Sequence, residues 1–191
     1  IDSMRARGHV VGAIEMRNRG LSIIPSVWRV RRLLPSYDVI HALDGNPLGI
    51  IAWLASRGTA KKVIISIVGS YSIAPLYNWK TRWLMRRAYQ SAHTIVSISS
   101  FTSLELQKKL PHLHPIIIPP GIHFATFNQK HHSSSKPFLL SVGPVEERKG
   151  YHISLRAFQE AKNKIPHLQY VIVGKRPLDF HVADVSFCEH I

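Results

Sequence analysis

The sequence predicts an α/β protein in which helices cover parallel sheets, and three observations carry that expectation. Short runs rich in Ile and Val recur along the chain. They are continuously apolar, not alternating, as in strands buried on both faces. Longer segments with helical spacing lie between them. The strand candidates are 38–42, 63–68, 94–98, 115–118, 138–142 and 170–173. Among the helices, 47–57 stops at Gly58, a good C-terminal residue. The segment 79–91 is strongly basic. The segment 101–110 follows Ser99 and Ser100, either of which can cap its first turn, and it ends before Pro111. Finally, 151–165 places Tyr151, Leu155, Phe158, Ala161 and Ile165 on one apolar stripe. Regular alternation of strand and helix implies crossover units. There is no internal repeat.

The 191 residues are 45% hydrophobic and 19% charged, with mean hydropathy −0.01, which is ordinary globular composition. The charge is not ordinary. Lys and Arg number 25 against 11 acidic residues, a net +14, which favours anionic partners. A single cysteine, Cys188, excludes an internal disulfide framework and a Cys-based zinc site, so a reducing compartment is the default. No run approaches the roughly 18 apolar residues of a membrane-spanning helix.

The polar segment 128–136, with two histidines and three serines, reads as a linker. It separates an N-terminal domain, 1–127, from a second unit, 137–191. The second unit holds two strand candidates, too few for a doubly wound domain. Together with an N-terminus that is not Met, this makes the chain read as a fragment, incomplete at its start and truncated at its end.

The sharpest motif is Ser141-Val142-Gly143-Pro144-Val145-Glu146-Glu147-Arg148-Lys149-Gly150, running from a strand into a helix. A helix N-terminus presents unpaired N–H groups and partial positive charge, which suits a phosphate. Lys149 adds a full charge there, and Gly150 lets backbone approach closely. The loop is neither a Walker A motif nor a dinucleotide fingerprint. Taken alone it reads more readily as a solvated loop with an Arg-Lys pair, since cations are common at strand ends.

Context adds to it. Tyr37-Asp38-Val39-Ile40-His41-Ala42 resembles a D-V-I-H strand, and Val63 to Tyr71 resembles the next strand with its glycine turn. Ala92 to Ser99 resembles A-D-x-I-I-A-V-S. Ile118-Pro119-Pro120-Gly121-Ile122-His123, with Phe127 behind it, resembles P-N-G-I-D…F. Ser141 to Gly150 with Ala157 resembles V-G-R…K-G…A, and Tyr170-Val171-Ile172-Val173-Gly174 closes the series. In this order the pieces are similar to the retaining glycosyltransferases of family 4, with the two-domain GT-B fold. Gly8-His9-Val10-Val11 resembles a remnant of the family's early G-H-x-V segment.

The resemblance implies a Rossmann-like acceptor domain followed by the start of a Rossmann-like donor domain. It implies a hexosyltransferase moving sugar from a nucleotide-sugar to a saccharide or lipid-linked acceptor, with retention and no obligatory metal. Lys149, with Arg148, Gly143 and Gly150, would bind the donor diphosphate. Gly69, Ser70 and His41 would face the acceptor side, though His41 reads equally as a hydrogen-bonded core residue. Catalytic groups stay unassigned. The implied setting is glycan or cell-envelope polysaccharide synthesis, cytoplasmic and peripheral at the inner face of the membrane.

The chain also departs from the pattern. Pro144 stands where the family has a diphosphate-binding Arg, and Val68 where it often has His. Pro120 and His123 replace its Asn and Asp. The acidic E-x7-E motif would lie beyond residue 191, so this stretch is expected to be inactive alone. These departures keep open a non-catalytic alternative: a degenerate GT-B chain or basic module binding anionic lipid, polysaccharide or nucleic acid.

The 12 histidines point to no metal site, since the densest pairs, His112 with His114 and His131 with His132, have no carboxylate cluster beside them. Tryptophan and cations interleave at Trp28-Arg29-Val30-Arg31-Arg32 and at Trp79, Arg82, Trp83, Arg86 and Arg87. Such a pattern fits anionic lipid, nucleic acid, or packed indoles among solvated cations. The implied lipid-linked acceptors favour the membrane, and no nucleic-acid-binding motif is present.

Overall fold

The apolar runs form strands, and every pairing between them is parallel. The computed structural model describes residues 1–15, 23–122, 137–175 and 185–188. The chain divides into two units, Ile1–Ile122 and His123–Ile191. The expected linker, 128–136, lies outside the described residues. In chain order the first unit has α1 (Asp2–Arg5), α2 (Ile23–Leu33), β1 (Val39–Ala42), α3 (Ile50–Ser56), β2 (Lys62–Ile67), α4 (Trp79–Ser91), β3 (Thr94–Ser97), α5 (Ser100–Lys109) and β4 (Ile116–Ile117). Its sheet order is β1-β2-β3-β4. The second unit has β5 (Phe138–Val142), α6 (Tyr151–Lys164), β6 (Gln169–Val173) and β7 (Val185–Cys188), in the order β5-β6-β7.

Local chemistry sets most of the boundaries. Asn78 opens α4 by accepting from the Lys80 N–H at 3.0 Å. Ser99, not Ser100, caps α5, accepting from Thr102 N–H at 3.2 Å. The helix expected over 47–57 is shorter, beginning at Ile50 after an irregular turn, Gly45–Gly49. Within that turn Asn46 precedes Pro47 and takes φ −125°, ψ 123°, because a residue before proline is pushed out of the helical region. Three elements were not anticipated, the first of them the four-residue α1. Helix α2 had been noticed only for its tryptophan and arginines, yet Ile23, Val27 and Val30 also form a half-buried stripe along it. Strand β7 is four residues long and half-buried, too short for a continuous apolar run.

Burial also differs from the expectation of strands covered on both faces. In β2, Val63, Ile65 and Ile67 are buried while Ile64 and Ser66 are half-buried. Sequential strand order with right-handed crossovers puts the connecting helices on one side of a sheet. The core accordingly gathers Val63, Ile65, Ile67 and Ile95 against Leu76, Met85, Tyr89, Leu106 and Leu110. Strand β5 is mostly exposed, with a single hydrogen-bonded neighbour, β6, among the described strands. In the second unit Tyr151, Leu155 and Phe158 of α6 pack on Leu168, Tyr170 and Ile172. The Phe158 and Tyr170 rings tilt together at 5.4 Å, a geometry contributing about 0.5–1.5 kcal/mol beyond the buried area.

Tyr89 closes the first core from α4. It is fully buried, and its hydroxyl donates to the Ser72 carbonyl at 2.6 Å. Burial, reinforced by the Asp44 carboxylate, pushes its pKa far above the ordinary phenol value. The phenol lies so close to Gly45 that an added Cβ would sit 2.8 Å from Cζ and nearer still to Oη. Gly45→Ala should therefore destabilise the protein by about 1–3 kcal/mol, as overpacking does. Urea unfolding checks this, and a midpoint at or above that of the parent would contradict the tight contact.

Candidate functional site

In the first unit the candidate acceptor residues lie at or just before the carboxyl edge of the sheet. Two loops leave that edge, one after β1 and one after β2. Asp44 joins them. Its Oδ1 accepts from Ser72 Oγ at 2.5 Å and from its neighbour Gly45 N–H at 2.6 Å. Ser72 Oγ also accepts from Val68 N–H at 2.9 Å. With Tyr89 holding the Ser72 carbonyl, three residues far apart in sequence fasten the turn that contains Gly69 and Ser70. An added Cβ at Gly69 would meet nothing within 4 Å, so a ligand has room to approach backbone there. Ser70 is exposed. Residues Asp44, Ser72 and Tyr89 escaped sequence reading. An Asp ahead of the helical segment was the single available signal, a cap signal.

His41 is the third residue of β1, and Ala42 ends the strand. Register pairs His41 with Ile64, on the face opposite the buried Val63, Ile65 and Ile67. Its Nε2 lies 2.8 Å from Ser66 Oγ, three residues before Gly69. The side chain is exposed and not a core residue, although partial desolvation still lowers its pKa below the usual 6.5.

In the second unit β5 ends at Val142 and the loop to α6 carries the candidate diphosphate residues. Gly143 N–H donates to Val173 O at 2.8 Å and Val145 N–H to Lys175 O at 2.9 Å, tying the loop to the end of β6. Tyr151 Oη donates to the Gly143 carbonyl at 2.9 Å. A hydroxyl chain supports this from below: Tyr170 Oη lies 2.8 Å from Ser141 Oγ and 3.1 Å from Ser154 Oγ. Glu147, Arg148 and Lys149 form a single 3-10 turn, and Gly150 turns left-handed (φ 71°, ψ 23°) into α6, a conformation that favours glycine. No side chain caps α6. Lys149 is exposed and takes part in no ion pair among the described residues. Arg148 Nε contacts Glu146 Oε2 at 2.6 Å, so it is already partnered.

The tryptophan-rich segment 79–91 is helical as expected, with Trp79, Arg82, Trp83, Arg86 and Arg87 all exposed. Among the described residues no group of three or more His, Cys, Asp or Glu is arranged to hold a metal ion, and no helix is long and apolar enough to cross a membrane. His112 and His114 each contact a glutamine, Gln90 at 3.2 Å and Gln107 at 3.4 Å. His131 and His132 lie outside the described residues.

Parallel sheets whose strands are joined through helices belong to the Rossmann-like class, and solved structures place the fold as GT-B. The Anabaena protein HepE in complex with UDP-glucose matches 97% of this chain and 57% of its own, with TM-score 0.67 and 15% identity. Its complex with UDP and glucose gives TM-score 0.65 at 14% identity, over 97% and 58%. The UDP complex of S. aureus MnaA gives 0.57 at 10% identity, over 100% and 59%. In sequence, the chain is 23% identical over 183 residues to a GDP-mannose-dependent alpha-(1-6)-phosphatidylinositol monomannoside mannosyltransferase of Mycolicibacterium smegmatis, over 85% of this chain and 47% of that protein. The chain thus spans about half the length of the curated relative it matches. The glycosyl transferase 4-like domain model matches residues 2–121, and the chain belongs to that family.

One ionisable group offers a direct check on the first unit. Because burial disfavours the imidazolium of His41, the unfolded chain takes up that proton more readily than the folded one. The stabilising contribution is therefore complete above 6.5 and fades as pH falls toward the depressed folded value. An NMR titration should give a His41 midpoint below 6.5, and His41→Gln should soften the loss of stability in that window. A midpoint at or above 6.5 would contradict the desolvated position.

Proposed function

We propose that the intact protein transfers a hexosyl group from a nucleotide-sugar to a saccharide or lipid-linked acceptor, with retention and without an obligatory metal. The observation that carries this reading is the uncapped N-terminus of α6 with Lys149 and Gly150 at its mouth, beyond the carboxyl end of β5. As the bond from sugar to diphosphate breaks, negative charge builds on the leaving group. The Lys149 ammonium and the first N–H groups of α6 meet that charge, where a helix terminus favours an anion. Gly143 and Gly150 keep backbone close to the diphosphate. Arg148 would have to leave Glu146 to join, so Lys149 is the better-placed cation.

Family membership and the nucleotide sugars named for the relatives support the donor class. The lipid-linked acceptor named for the mannosyltransferase supports the acceptor class. On the first unit the open backbone at Gly69, with Ser70 and His41, would receive that acceptor. Action at the cytoplasmic face of a membrane follows if the acceptor is lipid-linked.

The test is Lys149→Ala in the intact protein, assayed with GDP-mannose and UDP-glucose against lipid-linked and free saccharide acceptors. Transfer should fall by about 100-fold or more, as when an oxyanion-type contact is lost, with the thermal midpoint unchanged. The anomeric configuration of the product reads out retention. Rates within a few-fold of the parent would remove Lys149 from the diphosphate. Failure of the parent to bind or turn over any nucleotide-sugar would favour the non-catalytic reading that Val68 and Pro144 motivate.

A further inference from the structure

Most of the excess positive charge lies in the first unit, which holds 16 of the 25 Lys and Arg and five of the 11 acidic residues. That leaves nine cations and six acids in the second unit, where individual pairings decide which cations are available. Arg148 is held by Glu146. Glu147 and Lys149 are exposed and in no ion pair among the described residues. A second lysine shares that condition: Lys175, two residues past the end of β6.

Backbone contacts place Lys175 against the loop that carries Lys149. Strands β5 and β6 pair in register as far as Val142 and Val173, and neighbouring strands lie about 4.8 Å apart. Beyond that point Val145 N–H donates to the Lys175 carbonyl at 2.9 Å. Gly174 packs closer still. An added Cβ there would lie 2.6 Å from the Gly143 carbonyl carbon, 3.2 Å from the Pro144 nitrogen, and nearest of all to the Gly143 oxygen. Its φ of 145° also falls where glycine is favoured. The exit of β6 is thus fixed on the exit of β5, and Lys175 is the first charged residue there.

The loop after β5 cannot supply a cation at this point itself. Pro144 brings neither a charged side chain nor an N–H. The nearby carbonyls, which would repel an anion, are engaged elsewhere. Gly143 O accepts from the Tyr151 hydroxyl, Val173 O from Gly143 N–H, and Lys175 O from Val145 N–H.

We propose that Lys175 is a second cationic ligand of the donor diphosphate, reaching it from the end of β6 as Lys149 does from the mouth of α6. The inference rests on the nucleotide-sugar reading above and adds a residue to it. A diphosphate carries more negative charge than one ammonium and a helix terminus offset. Lysine acts as a point charge on a flexible four-carbon stem, so a fixed backbone position is enough to deliver it. Glu147 opposes the anion. Even so, Arg148, Lys149 and Lys175 outnumber Glu146 and Glu147 at these two strand exits.

Calorimetric titration of the intact protein with UDP and with GDP tests the assignment. Lys175→Gln should weaken binding of whichever nucleotide the parent prefers by about five-fold, the scale of one exposed charge pair. Lys175→Arg, which keeps the charge, should restore it, and the thermal midpoint should match the parent in both. Lys164→Gln removes a lysine from the far end of α6 and should bind as the parent does. Parental affinity in Lys175→Gln, with loss in Lys149→Ala, overturns the role of Lys175 and leaves the donor reading standing. Equal losses in Lys164→Gln and Lys175→Gln also overturn it, since net charge alone would then account for the effect. A parent that binds neither UDP nor GDP overturns the donor reading and this inference together.

Discussion

The hydrogen bond from Tyr89 to the Ser72 carbonyl organises the first unit. A parallel sheet satisfies its backbone within the strands but leaves the loops at its carboxyl edge without ladder partners, and any of their polar groups that are buried need hydrogen bonds. Tyr89 reaches from α4 through the core to one such group. Asp44 and Ser72 complete the set with side chains. The result is a turn after β2 whose position depends on a helix that follows it and a loop that precedes it. The second unit solves the same problem in the same way. Tyr151 holds the Gly143 carbonyl, and Tyr170 ties Ser141 to Ser154 beneath it. In both units a phenol supplies apolar packing along its ring and a single donor at its tip.

That arrangement holds the turns after β2 and β5 in fixed positions. The turn that holds Gly69 is hydrogen-bonded to separate elements, and an added Cβ at Gly69 or Gly150 would meet nothing within 4 Å. The cations divide along similar lines. Arg31 closes the end of α3, Arg148 pairs with Glu146, and Lys109 lies 3.8 Å from the centre of the Tyr77 ring. On α4, Lys80 and Arg87 lie 5.6 and 5.7 Å from the centres of the Trp79 and Trp83 rings, and Arg82 and Arg86 are exposed. The net charge is therefore a local property of the first unit's helices more than of the chain as a whole.

The elements most legible in the sequence were those whose signal is periodic and local. The segments β5, α4 and α6 came within a residue of expectation, because continuous apolarity, a basic amphipathic stretch and a three-four apolar stripe each reflect one element's own geometry. Helix α2 was missed because its tryptophan and arginines drew attention away from a modest stripe, and because its partner, α3, lies more than a dozen residues onward. Strand β7 was missed because four residues, two half-buried and two exposed, are too few to show a pattern. The extended Asn46 within the turn at Gly45–Gly49 follows a rule, residue before proline, that the sequence contained.

By itself the sequence determined the alternation of strand and helix, the parallel pairing that follows from it, and the placement of Lys149 and Gly150 where a strand gives way to a helix. These rest on short-range sterics and on apolar patterning, which act within a few residues. Tertiary structure alone decided that Asp44, Ser72 and Tyr89 meet, that Arg31 of α2 closes the end of α3, and that Trp53 of α3 meets Trp83 of α4. Those outcomes depend on which helices a crossover connection brings together, and that contact is written in no single stretch of the chain.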